Sequence, residues 1–314
     1  MKLISNWEEQ SLGARPRSAF SIGVFDGLHL GHRALIDMVI KNAGKLKAQS
    51  LILTFEPHPL QILAPAAAPP ILTTLEQKAE ILSGWGLDCL GVLRFTREMA
   101  AVEPQKFLYQ FLGKYIDPVA VVLGPDFTFG KDAKGEARAI EDWLDQTNPK
   151  AKVTIADPLS GTDGLYASSQ IRQDLKSGLV ESAARALGRP YRLYGTVVHG
   201  QARGRTLGFP TANLGHIKQL IPDAGVYAVR VNHEGQVYGG MTSIGYNPTF
   251  GEQPMTVETH IFDFDRFIYN QNLSIDFLAH LRTMVRFKSA EQLTAQLEKD
   301  RVSARLAVSG HEKI

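Results

Sequence analysis

The pattern of apolar residues changes once, at Gly188-Arg189-Pro190, and that change constrains the fold of this 314-residue chain more than any other feature. Before it, short apolar runs alternate with helix-like stretches. Ala19 to Phe25, Ser50 to Phe55, Asp88 to Phe95, Pro118 to Leu123 and Lys152 to Ala156 read as strands. His32 to Lys45, Leu75 to Trp85, Pro104 to Tyr115 and Ala137 to Gln146 read as helices, with Thr73 and Thr74 as candidate caps for the second. Buried strands separated by helices predict a parallel sheet with crossover helices, whose ligands sit beyond the carboxyl ends of the strands. Two closing helices, Ser169 to Ser177 and Leu179 to Leu187, precede the break. After it the β pattern dominates. Val226 to Val231 and Gln236 to Ile244 read as a hairpin around His233-Glu234-Gly235, Val257 to Phe264 and Asn272 to Leu278 as further strands, and Ala290 to Leu306 as a single helix. Several strands and one helix predict a small β-barrel. The chain therefore reads as α/β followed by β, with domains 1–188 and 189–314.

Composition narrows the function. A hydrophobic fraction of 44% with 21% charged residues is that of a globular protein. A formal net charge of +2 provides no basic stripe, so nucleic acid is not an expected partner. The single cysteine, Cys89, excludes an intrachain disulfide framework and a thiolate metal site, and fits a reducing compartment. Met1 to Gln10 holds two acids and no apolar core, so a secretion signal is not expected, and no run reaches the roughly 18 apolar residues of a membrane span. The expectation is a cytoplasmic protein acting on small molecules, with its oligomeric state left open.

The first chemical motif runs from Gly23 to His32, where the first strand gives way to the first helix. Glycines let the backbone approach an anion, the helix N-terminus offers free N–H groups, and His29 and His32 add ring donors. Together they suit a polyphosphate. The glycine spacing is not that of the dinucleotide fingerprint. A metal site is the rival reading, because the two histidines are three apart; a glycine-rich turn with two surface histidines is the plain one.

The string His29-Leu30-Gly31-His32 resembles the H-x-G-H core of nucleotidylyltransferases. Thr54-Phe55-Glu56-Pro57-His58-Pro59, Gly124-Pro125-Asp126-Phe127-Thr128-Phe129-Gly130 and Ser168-Ser169-Gln170-Ile171-Arg172 follow in order. The set resembles the FMN adenylyltransferase module of prokaryotic bifunctional riboflavin kinase/FAD synthetases, and implies a Rossmann-like domain. By that resemblance Gly23, Phe25, Asp26, Gly27, His29, His32 and Asp126 bind ATP, and Ser168, Ser169 and Arg172 hold its phosphates. Phe55, His58 and Phe127 face the flavin, and His29 and His32 act in catalysis. The family usually reads Ile-Ser-Ser-Thr before its arginine; here the residues are Tyr166-Ala167-Ser168-Ser169.

A second string, Gly200-Gln201-Ala202-Arg203-Gly204-Arg205-Thr206, is not a P-loop. It has three residues between its glycines, arginine where lysine belongs, and a β context. With Leu207-Gly208-Phe209-Pro210-Thr211-Ala212-Asn213 it resembles the riboflavin kinase signature. Gly225-Val226-Tyr227-Ala228, Gly245-Tyr246-Asn247-Pro248-Thr249-Phe250 and Val257-Glu258-Thr259-His260 extend the likeness. The resemblance implies a six-stranded barrel with a terminal helix. It gives ATP or flavin binding to Gly204, Arg205, Thr206, Gly208, Pro210, Thr211, Asn213 and Arg282. Thr211 and Asn213 are the implied Mg²⁺ ligands, and their oxygens are of the hard type that ion takes. Glu258 is the implied general base. Where the family has Leu-Tyr-Gly and Arg-x-Glu, this chain has Ile268-Tyr269-Asn270 and Arg282-Thr283-Met284. The implied activity is phosphorylation of riboflavin to FMN, then adenylylation of FMN to FAD, with ATP and Mg²⁺. Two other readings stay open: an adenylyltransferase alone, its kinase weakened at Met284 and Asn270, and a non-catalytic flavin- or nucleotide-binding regulator.

Overall fold

This computed structural model describes residues 1–9, 15–161, 164–200, 204, 207–245 and 255–311. Contacts divide the chain into two compact units, Met1–Tyr166 and Ala167–Ile314.

The first unit is built on a six-stranded parallel sheet. Its strands are β1 (Lys2–Ile4), β2 (Arg17–Ile22), β3 (Gln49–Glu56), β4 (Cys89–Arg94), β5 (Asp117–Leu123) and β6 (Lys152–Ile155), in the order β1-β4-β3-β2-β5-β6. Alternation along each strand feeds two cores. Leu51, Leu53, Val121 and Leu123 join Phe107, Leu112, Ile140 and Trp143 on one face. Ile52, Ala120 and Val122 meet Leu35, Ile36 and Val39 of the helix Leu30–Leu46 on the other. The strand order runs β2, β3, β4 in one direction and β5, β6 in the other, so the switch point lies between β2 and β5. The sequence predicts the five longer strands; β1 is three residues and too short for its periodicity to register. The predicted helix from Pro104 to Tyr115 is divided: Pro104–Phe107 is α-helical and Leu108–Gly113 widens into a π-helical turn. A two-stranded pair, β7 (Ser160–Gly161) and β8 (Gly164–Leu165), lies near the end of the unit.

The second unit opens with the helices Ser168–Lys176 and Val180–Leu187. A closed antiparallel barrel follows, made of β9 (Tyr191–Val198), β10 (Ala212–Gly215), β11 (Gly225–His233), β12 (Gln236–Gly245), β13 (Thr256–Ile261) and β14 (Asn272–Arg282), in the order β10-β13-β12-β11-β14-β9. The expected six-stranded barrel is thus present. In β9 the alternation is complete: Tyr191, Leu193, Gly195 and Val197 are buried and their neighbours half-buried. The hairpin turn is shorter than the sequence predicts. His233 pairs with Gln236, leaving Glu234 (φ 50°) and Gly235 (φ 77°) as a two-residue turn with both residues left-handed. The terminal helix, Ala290–His311, lays Leu297, Ala304 and Ala307 against Phe209, Met241 and Phe262.

Candidate active sites

The first site gathers at the carboxyl ends of β2, β3 and β5. The chain leaves β2 through Gly23 and turns sharply, with Phe25 (φ 48°), Gly27 (φ 82°) and Leu28 (φ 45°) all left-handed. Two of these three are not glycine, a conformation that stores strain of about 1–3 kcal/mol per residue and persists only where neighbours over-determine it. The neighbours are buried polar groups. Asp26 (3% exposed) accepts the N–H groups of Leu72 and Thr73, both bonds within 3.1 Å. The Thr73 hydroxyl lies 3.2 Å from the same carboxylate and accepts the Gly27 N–H at 3.0 Å. The Val24 carbonyl takes two donors, Lys78 Nζ at 2.9 Å and Thr54 Oγ1 at 3.0 Å. Burial holds the Lys78 ammonium below the usual lysine range, with Asp26 and Glu56 opposing the shift.

The loop delivers the chain into the helix Leu30–Leu46. His29 caps that helix: its Nδ1 accepts the His32 N–H at 3.3 Å, which places the proton of the neutral ring on Nε2. The His29 and His32 rings stack at 3.7 Å, and Phe25 meets His32 edge-on. A Cβ on Gly31 would stand 3.1 Å from the His29 ring, so a small residue lets that ring lie over the helix start. Phe25, buried, also backs Gly23. The Asp26 carboxylate ties the loop to the backbone of Leu72 and Thr73, and Thr73 and Lys78 are contributors to which no sequence motif points. Of the two candidate caps, Thr73 and Thr74, Thr74 makes the capping box with Gln77.

Beyond β5, Asp126 is exposed and Phe127 stacks on Phe129 at 5.5 Å. Phe55, near the end of β3, packs edge-on against Phe95. His58 caps the short helix Pro59–Leu63 through Nδ1. The flavin-side candidates Phe55, His58 and Phe127 therefore share the carboxyl end of the sheet with the glycine-histidine string. Ser168, Ser169 and Arg172 lie on the helix Ser168–Lys176 of the second unit, with Ala167 at its N-cap and no side-chain cap bond there.

The second site lies on the barrel wall. Asn213 in β10 is registered against Glu258 in β13, and Thr211 Oγ1 stands 3.5 Å from Glu258 Oε2. Two cavities meet at this wall. One of about 370 Å³ is lined by Thr211, Asn213 and the segment from Phe264 to Tyr269. The other, about 600 Å³, is lined by Asn213, His199, His216 and Glu258. Gly200 and Asn213 border both. A Cβ on Gly200 would fall 2.3 Å from the Asn213 amide, so glycine is needed for that side chain to stand where it does. Gly204 is as tightly placed, 2.2 Å from the Phe209 carbonyl, and Gly208 is left-handed at φ 81°. The Pro210 carbonyl is held by His260 Nδ1 at 2.8 Å, and desolvation pushes the His260 pKa down, in keeping with a neutral ring donating that bond. Arg205 and Thr206 lie outside the described residues, as does the Tyr246–Phe250 string.

Arg282 ends β14 and forms a fork on the buried Asp300 carboxylate of the terminal helix, with contacts of 2.7, 3.0 and 3.1 Å. Asn270 has φ 62°, a left-handed conformation that asparagine tolerates best after glycine, so its presence where the family has glycine keeps the turn. Met284 lays its thioether by Ser243 and its methyl against Gly245. Among the described residues no group of three or more His, Cys, Asp or Glu is placed to hold a metal.

Two family models match the chain in succession: FAD synthetase over residues 13–170 and riboflavin kinase over residues 187–308. The bifunctional riboflavin kinase/FMN adenylyltransferase of Listeria monocytogenes is 39% identical over 91% of this chain and 90% of its own. That of Bacillus subtilis is 37% identical over 92% of each chain. A solved structure described as a macrolide-efflux protein of Streptococcus pneumoniae superposes with a TM-score of 0.83 at 32% identity, covering 96% of this chain and 98% of that one. No helix among the described residues is long and apolar enough to cross a membrane. With an FAD synthetase domain followed by a riboflavin kinase domain, the chain belongs to the bifunctional riboflavin kinase/FMN adenylyltransferase family.

Proposed function

We propose that the barrel phosphorylates riboflavin with Mg²⁺-ATP and that the sheet domain adenylylates FMN with a second ATP. The observation that carries the kinase half is the shared wall: Glu258 opens on one cavity, Thr211 on the other, and Asn213 stands between. In our reading the nucleotide occupies the Thr211 side and the ribityl chain of riboflavin the Glu258 side. Glu258 accepts the proton of the 5′-hydroxyl as that oxygen bonds to the γ-phosphorus, and ADP leaves as the β–γ bridge breaks. The Thr211 hydroxyl and Asn213 carboxamide suit Mg²⁺, which takes few protein oxygens and completes its shell with phosphate and water. An ion held there would neutralise phosphate charge.

In the sheet domain an FMN phosphate oxygen attacks the α-phosphorus of ATP and pyrophosphate departs; no proton need be removed. The protein's part is to position and to stabilise charge. His29 and His32, with the N–H groups of the first helical turn, are the proposed ligands of the triphosphate. Ser168, Ser169 and Arg172 are proposed as phosphate ligands on the strength of the family motif. Phe55, His58 and Phe127 are proposed for the flavin side, Asp126 for the nucleotide. ATP as co-substrate and the free, buried Cys89 thiol fit a reducing cytoplasm, and the partners are small molecules rather than nucleic acid.

Chromatography of products after incubation with riboflavin, ATP and Mg²⁺, and separately with FMN, tests the reading. FAD from both is expected. FAD from FMN alone overturns the kinase half and directs attention to Met284; stoichiometric binding without product supports a regulator instead.

A further inference from the structure

The loop Gly23–Leu28 is held in a strained shape by two groups that the reaction as described leaves unused, Thr73 and Lys78. Thr73 is 7% exposed and Lys78 5% exposed. Neither belongs to the glycine-histidine string; both come from the segment that begins the helix Leu75–Gly84, about fifty residues later. The Thr73 hydroxyl has both its capacities engaged. It accepts the Gly27 N–H at 3.0 Å and, 3.2 Å from Asp26 Oδ1, donates to that carboxylate. Lys78 donates to the Val24 carbonyl at 2.9 Å. These bonds fall at Val24 and Gly27, on either side of the left-handed Phe25 and just before the left-handed Leu28, within the turn that sets where His29 caps its helix and hence where His32 stacks.

We propose that Thr73 and Lys78 are positioning residues for adenylyl transfer: they hold the Gly23–Leu28 turn in the single conformation that presents His29, His32 and the helix N-terminus to the ATP phosphates. This rests on the assignment of that site to ATP. Thr73 acts by its hydroxyl, not its shape, because the Gly27 N–H and the Asp26 carboxylate need an acceptor and a donor on one atom. Lys78 acts by a buried N–H donor. Its desolvated ammonium is tolerated because Asp26 and Glu56 lie close enough to oppose the loss of charge. A displacement of the loop by a fraction of an ångström is transmitted directly to both histidines, and misplacement of that order costs a reaction that depends on alignment.

Three variants of the whole chain test this, with the kinase rate of the same polypeptide as the internal standard. Thr73→Val keeps the shape and removes the hydroxyl. It should lower kcat/KM for FAD formation from FMN about 10–100-fold and raise the KM for ATP, with riboflavin phosphorylation unchanged. Thr73→Ser restores the hydroxyl and should return activity to near the parent level. A purely structural defect would instead reduce the fraction of active enzyme, lowering kcat with KM for ATP unmoved; that result, or full activity in Thr73→Val, overturns the proposal. His32→Ala separates this from the site assignment: if it too retains full FAD synthesis, the assignment of the ATP site itself is wrong. Lys78→Met, which retains bulk without the donor, gives the same readouts should Thr73→Val not fold. A wild-type KM for ATP in Lys78→Met then overturns the proposal.

Discussion

The two proposed phosphate sites of this chain are made in different ways. In the parallel-sheet unit the site is a backbone object: a strained turn, a helix N-terminus and a capping histidine, all fixed by buried groups from a distant segment. In the barrel it is a side-chain object: pairing register brings Asn213 of β10 beside Glu258 of β13, and Thr211, just before β10, stands 3.5 Å from the Glu258 carboxylate. A parallel sheet presents chain ends at its ligand face, so the binding groups must be the turns themselves. An antiparallel barrel presents walls, and alternate residues on a wall are already aimed. The first kind of site is sensitive to residues that touch no ligand, the second chiefly to those that do.

Reciprocal inactivation is the strongest way to break that contrast. His32→Ala should reduce FAD formation from FMN by about 10²–10³, the cost of one donor aimed at developing charge. Glu258→Ala should reduce FMN formation by about 10²–10⁴, the range for loss of a general base. Each should leave the other reaction at its parent rate, measured on the same preparation. Loss of both activities in either variant would show that the sites are not independent devices.

How far the sequence reveals these sites follows from the same contrast. The glycine-histidine string and the Pro210-Thr211-Ala212-Asn213 string are legible because each is contiguous and its residue types are chemically specific. The hairpin of β11 and β12 and the switch from mixed to β pattern are legible because each spans a contiguous stretch of characteristic residues. Thr73 and Lys78 are not, because a threonine just before a helix and a lysine within it have commonplace roles there, and only the fold brings them to Gly27 and Val24. β10 escapes notice because four residues, one of them glycine, carry no period. The π-helical widening at Leu108–Gly113 has no signal at all in an apolar run that reads as ordinary helix.

Arg282 sharpens the comparison at an intermediate magnitude. The resemblance gives it to ligand binding, yet its guanidinium forks onto Asp300, and the two side chains are 19% and 4% exposed. Gln296 donates to the same carboxylate at 2.8 Å. Removing one partner of a buried pair leaves the other charge unmatched, which costs about 3 kcal/mol. Arg282→Ala should therefore lower the thermal midpoint of the barrel unit while FAD formation from FMN survives at low temperature. If instead the midpoint holds and only the KM for riboflavin rises, Arg282 belongs to the flavin site and the terminal helix is held by its apolar face alone.

The smallest effect concerns the start of the helix that carries Ser168, Ser169 and Arg172. Ala167 occupies its N-cap with φ −134° and ψ 145°, the extended geometry of a capping residue, but an alanine has no oxygen to offer the first N–H groups. The family usually has a serine at this place. Ala167→Ser supplies the acceptor without changing the backbone, and should stabilise the helix by about 1 kcal/mol. In a unit of this size that is a rise of about 2–4 °C in the midpoint of thermal unfolding, read most cleanly by following kinase activity after heating. The comparison between the sites gives this variant a second use. Capping removes fraying at the turn bearing Ser168 and Ser169, so if those hydroxyls bind the triphosphate the KM for ATP in FAD formation should fall along with the gain in stability. A rise in midpoint with no change in that KM would assign the capping position to folding alone and leave phosphate recognition to the histidine site.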